Sequence, residues 1–102
     1  MIKHIVLFGL AEQAEGKTKA ENALIIKNEL EGLAALIPEL KKIEVGINCG
    51  GAPQGNYDLA LCCEFENMAD LDIYQNHPEH QRVGGYIGKV RVSRAAVDYE
   101  TL

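Results

Sequence analysis

The 102-residue chain contains no tryptophan, only three cysteines and three prolines, and no apolar run long enough to cross a bilayer. Two of the cysteines, Cys62 and Cys63, are adjacent and the third is Cys49. That excludes a disulfide framework and any Cys-x-x-Cys pair for metal or redox chemistry, so a reducing cytoplasm is the expected setting. Residues 2–10 are apolar but far shorter than the roughly 20 residues of a spanning helix. Nor does the start combine basic residues, an apolar run and a small-residue cleavage site as a secretory leader does. Basic residues are in deficit too: ten Lys and Arg stand against 15 Asp and Glu, a formal charge of -5. Neither nucleic acid nor membrane is therefore an expected partner, and the small cluster Lys89, Arg91 and Arg94 reads as a solvated strand edge.

What is present is patterned. The length suits one domain, 1–102, with a core but little to spare, so an oligomer interface would add materially to stability. The stretch from Tyr57 to Tyr86 organises the rest. Tyr57, Leu59, Leu61, Cys63 and Phe65 alternate with less apolar residues, the period of a strand with one buried face. Asn67 is placed to cap a following helix, with Asp70 in its first turn and Met68, Leu71 and Tyr74 on one side. Pro78 stops that helix and suits the first position of another, which makes His77 a cap and puts Glu79 and His80 in a new first turn.

The N-terminal MIKHIVLF is a strand with Ile2, His4, Val6 and Phe8 on one face and Lys3, Ile5 and Leu7 on the other. Both faces need cover; helices can supply one and a partner subunit the other. Residues 11–17 form a polar connection ending in Thr18-Lys19-Ala20-Glu21, a capping box that starts a helix. Along it Ala23, Ile26, Leu30, Leu33, Ala34 and Ile37 make one apolar stripe, with Ile25 and Leu36 pointing elsewhere. Gly32 predicts a kink or a second short turn before Pro38. Ile43, Val45 and Ile47 mark a second strand, and the breaker-rich CGGAPQGN joins it to the third as a hairpin loop; a strand, not a helix, follows the glycines, which disfavours a phosphate cradle. Val92 to Glu100 is the last strand, giving the order βαββαβ.

Chemistry has few places to reside. His77 and His80 are three apart, but with only Glu79 between them and no cysteine nearby the zinc signal is weak, and a structural corner is the stronger reading. His80, in a first turn, would feel the helix dipole oppose its positive charge, which suits a neutral base. An imidazole at His4, mid-strand and flanked by apolar residues, must find a partner or border a cavity. Cys62 and Cys63 read as small buried hydrophobes, and Tyr57, Tyr86 and Tyr99 as core-edge packing with wet hydroxyls.

The run YQNHPEHQ, preceded by YDLAL and EFENMADL and matched by MIKHIVLF at one end and AAVDYE at the other, resembles the Dabb family of stress-responsive dimeric α/β-barrel proteins. The resemblance spans nearly the whole chain. It implies an α+β, ferredoxin-like protomer, with an antiparallel four-stranded sheet covered by helices on one face and paired with a second copy through the other. In a plant polyketide cyclase of this family the positions matching His4, Tyr74 and His80 line a pocket between sheet and helices, and these are the catalytic candidates. That site has a further histidine where this chain has Leu59, so one of its groups is missing here. Some members hold magnesium on backbone carbonyls matching Ala34, Ile37 and Leu40; no other cofactor is expected. Related barrels degrade haem through a tryptophan this chain lacks. The resemblance thus implies a homodimer acting on a small hydrophobic, polyketide-like or aromatic molecule by His/Tyr acid–base chemistry. The alternative is a dimer that binds a ligand or serves a stress response without catalysis.

Overall fold

The computed structural model describes all 102 residues. β1 (Ile2–Leu10) leads through a short hairpin, β2 (Gln13–Ala14) and β3 (Lys17–Thr18), into α1 (Lys19–Gly32) and a 3-10 turn, Leu33–Ala35. β4 (Lys42–Ile47), β5 (Leu59–Phe65), α2 (Met68–Asn76), α3 (Pro78–Val90) and β6 (Arg91–Glu100) complete the chain. The main sheet has the order β4-β5-β1-β6 and its pairings are all antiparallel. This is a ferredoxin-like α+β fold with its helices on one face.

Local chemistry sets the element ends. The capping box at Thr18 forms as its spacing predicts, Glu21 N–H donating to Thr18 Oγ1 at 3.2 Å and Thr18 N–H to Glu21 Oε1 at 2.9 Å. Asn67 Oδ1 accepts from Asp70 N–H, and His77 Nδ1 accepts from Glu79 N–H, so Pro78 opens α3 behind a histidine cap. In the segment read as a polar connection, Glu15 and Gly16 both take positive φ, 52° and 73°. Two such residues make the turn whose twist matches a two-residue hairpin. The usual Asn-Gly or Asp-Gly signal is replaced by Glu-Gly, which is why the hairpin escapes the sequence.

Alternation along β1 and β5 decides the layers. Ile2, His4, Val6 and Phe8 lie buried against the helices with Leu59, Leu61, Cys63 and Phe65, while Lys3, Ile5 and Leu7 are half-buried on the far face. The far face stays apolar along β6, where Val97 is 54% and Tyr99 46% exposed. Two apolar residues depart from expectation: Ala34 is exposed because the 3-10 turn rotates it off the stripe, and Met68 lies outward in the first turn of α2. Gly9 sits where β6 shifts register, and a Cβ there would run into the Ser93 hydroxyl.

Two polar contacts fasten α1. Asn22, fully buried, donates Nδ2–H to the Ala14 carbonyl at 3.1 Å and accepts from the Tyr86 hydroxyl at 2.5 Å, tying helix, hairpin and α3 together. The Tyr86 hydroxyl is therefore pinned rather than wet. At the sheet edge Lys27 donates to the Val45 carbonyl at 2.6 Å and Glu31 accepts from Val45 N–H at 3.1 Å, filling the outward hydrogen-bonding groups at the middle of β4. The same two side chains pair with each other at 2.9 Å.

Candidate active site

Strand parity brings His4 to the helix side of the sheet, where it opposes Cys63 on β5 and Asp98 on β6. Its ring is 3% exposed, and Nδ1 lies 2.5 Å from Asp98 Oδ1. A carboxylate can only accept, so Nδ1 carries the proton in this pair and Nε2 is left for other use. The two alternatives read from the sequence occur together: His4 has a partner and also borders a cavity of about 160 Å³.

The opposite wall comes from the corner between α2 and α3. Pro78 fixes the start of α3 and thereby sets His80 one turn in, facing the sheet. Its Nδ1 is buried and has no hydrogen-bond partner. Burial lowers the His80 pKa from its ordinary value, the Gln75 carbonyl works against it, and the nearby Arg94 guanidinium and the His4 and His77 rings add to the lowering. The ring is thus kept neutral, chiefly by loss of water, with the helix dipole expected from the sequence acting in the same sense. Glu79 does not counter it, because its carboxylate is held by Arg82 at 2.9 Å.

Tyr74 joins the two histidines without bordering the cavity. Its ring lies 4.5 Å from His80, 6.4 Å from His4 and 5.0 Å from Phe65, centroid to centroid, and it is fully buried. The hydroxyl accepts a weak contact from the Cys63 thiol at 4.0 Å, and burial raises its pKa. The cavity walls are His4, Val6, Phe8, Leu30, Leu61, Gln75, His80, Gly84, Ile87, Arg91 and Arg94. Leu61 is the β5 residue in them; Leu59 is buried elsewhere in the core. Burial pushes the Cys63 thiol up to about 12, which rules out a thiolate at neutral pH.

Arg91 and Arg94 are the residues the sequence reading missed. They are exposed on the edge strand β6, as the sequence suggested, but they also line the cavity mouth, because β6 pairs Arg94 with Phe8 and Arg91 with Leu10 on the buried side of β1. The parity of HIVLF against RAAVD holds this placement, but only once the register of two strands distant in sequence is known.

The carbonyl corner offers a divalent ion little. Of Ala34, Ile37 and Leu40, the Ile37 carbonyl already accepts from Leu40 N–H at 3.1 Å. Magnesium ordinarily takes one or two carboxylates, and no cluster of three or more His, Cys, Asp or Glu side chains placed to hold a metal occurs in the fold. Three neutral carbonyls without a carboxylate supply only part of magnesium's usual ligand set. Two larger depressions, of about 560 and 800 Å³, flank the Cys49–Asn56 loop; they are open surface grooves without a histidine. No helix is long and apolar enough to cross a membrane.

A family model described as Stress responsive A/B Barrel Domain matches residues 2–101. Among solved structures, a dimeric protein of unknown function with a ferredoxin-like fold from Bacteroides fragilis is 38% identical, with a TM-score of 0.78 over 98% of this chain and 95% of that one. A dimeric ferredoxin-like protein of unknown function from Thermobifida fusca is 31% identical, with a TM-score of 0.82 over 98% and 90%. The hydroxynitrile lyase of Passiflora edulis, 16% identical with a TM-score of 0.76 over 96% and 90%, shares the fold. No curated protein matches the chain by sequence.

Proposed function

The chain belongs to the stress responsive A/B barrel (Dabb) family, and on that premise we propose that it is a homodimer whose protomers each bind a small, hydrophobic, oxygenated molecule between sheet and helices and move a proton on it. The carrying observation is the pairing of two imidazoles on one cavity: His4 is anchored on Asp98, and His80 is neutral with an unpartnered ring nitrogen. A neutral imidazole in a chamber of mixed apolar and cationic walls is suited to take a proton from carbon alpha to a carbonyl. The C–H bond breaks, the proton goes to His80 and the electron pair moves onto the carbonyl oxygen as an enolate. His4 Nε2 is the second proton-handling group, and Tyr74 backs both rings without touching the substrate.

Assembly is supported by the uncovered apolar face, where Ile5, Leu7, Val97 and Tyr99 lie on the side away from the helices. Sheet-to-sheet contact would bury it. Sedimentation at micromolar concentration should return twice the 11.2 kDa chain mass, and Ile5→Glu should shift it to monomer or unfold it. A monomer for the parent chain sinks this half of the reading.

Ethyl acetoacetate, small enough for the cavity, tests the chemistry. The protein should speed deuterium uptake at its methylene above the buffer rate in D₂O, and His80→Gln should remove about 10²- to 10⁴-fold of that excess while the fold is kept. No excess in the parent, with the ester bound in the cavity, selects the non-catalytic ligand-binding dimer.

A further inference from the structure

The walls of the His4–His80 cavity contain two arginines and no carboxylate. That is unusual for this chain, where acids exceed bases by 15 to 10. Of its three arginines, Arg82 holds Glu79 and Glu29, whereas Arg91 and Arg94 make no ion pair. Lys19, Lys27, Lys42 and Lys89 each reach an acid; Lys3, Lys17 and Lys41 do not, and what sets the two arginines apart is their place on the cavity wall. Asp98, the acid on the same face of β6, is committed to His4.

Resting on the pocket reading above, we propose that the ligand is a single-ring carboxylic acid, its ring seated between Val6, Phe8, Leu61 and Ile87 and its carboxylate received at the mouth by Arg94, with Arg91 and the Gln75 amide beside it. Size limits the apolar part: a dry chamber of roughly 150 Å³ takes a benzene ring, and this one holds about 160 Å³. Charge fixes the polar part. A guanidinium presents a planar fork that matches a carboxylate with two parallel hydrogen bonds, and its weak hydration makes the exchange of water for ligand favourable. The neutral state of His80 leaves the arginines as the groups that recognise the anion, and the imidazole free for chemistry at the carbon next to it.

Benzoate and its neutral isostere benzamide separate the terms. In a titration followed by backbone amide NMR, benzoate should shift the amides of His4, Leu61 and His80 and bind at least tenfold more tightly than benzamide. Arg94→Gln, at an exposed position that the fold does not depend on, should bring the two affinities together by weakening benzoate alone; Arg94→Lys should recover part of the difference. Raising salt from about 0.05 to 0.5 M should weaken benzoate and leave benzamide unchanged. Equal binding of the two at the cavity overturns the carboxylate assignment and leaves the pocket standing. Failure of both to shift cavity amides, or shifts confined to other surfaces, overturns the assignment together with the pocket reading.

Discussion

On the sheet side of the cavity His4 gives its Nδ1 proton to Asp98 at 2.5 Å, whereas on the helix side His80 Nδ1 is buried with no partner. The two rings are of one type, border one space and are linked through Tyr74. What differs is the supporting element. β6 lies antiparallel to β1 and places a carboxylate directly opposite His4, so satisfying that histidine follows from sheet register. The α2–α3 corner places only the neutral Gln75 carbonyl near His80, and its near acid, Glu79, is taken by Arg82. A satisfied buried histidine contributes to stability, while an unsatisfied one costs stability and marks a candidate functional group.

Each side can be broken separately. The largest effect is expected in rate at the free ring: His80→Gln should lower proton exchange by about 10²- to 10⁴-fold with the urea midpoint little changed, since the amide keeps much of the ring's size and polarity. A fall in stability with no change in rate would reverse the roles of the two histidines. Next comes the held ring. Asp98→Ala strands His4 Nδ1 in the core and should cost about 1–3 kcal/mol in urea unfolding, whereas Asp98→Asn keeps an acceptor and should restore most of it. If the alanine and asparagine variants unfold alike, the pair is not a supported hydrogen bond.

A smaller effect appears in pH. The folded pKa of His80 is depressed, so the unfolded chain binds a proton that the folded one refuses. Its contribution to stability is present above about pH 6.5 and is lost as pH falls through that value towards the folded pKa. Urea unfolding at pH 7.5 and 5.5 should show this loss in the parent, and His80→Gln should reduce it; equal losses would place the titration elsewhere. The smallest effect is expected from Tyr74→Phe, which removes only the 4.0 Å thiol contact. Stability should change by less than about 1 kcal/mol and exchange should be nearly unaffected; a tenfold loss would show that the hydroxyl meets substrate after all.

How far the sequence reached follows from which interactions are local. Capping residues act within three positions, so Thr18, Asn67, His77 and Pro78 declare their helices in plain text, and period-two alternation assigns His4 and Leu61 to the inner face. The Asn22–Tyr86 bond, the His4–Asp98 pair and the turn of Arg91 and Arg94 into the cavity span 64 or more positions or depend on register between chain ends. No short-range pattern encodes them. Resemblance carried the three candidate residues as names, but the turning of the Tyr74 hydroxyl towards Cys63 depends on packing around one ring.

The clamp of Lys27 and Glu31 on Val45 reaches beyond the protomer. With the middle of β4 plugged by side chains, the sheet can template a further strand readily from its β6 end alone. Joining two copies through that end would leave a β4 at each extremity, both plugged. Edge-to-edge growth is thereby self-terminating: the chain can pair once by this route, and the addition that would begin a fibre meets a charged helix face.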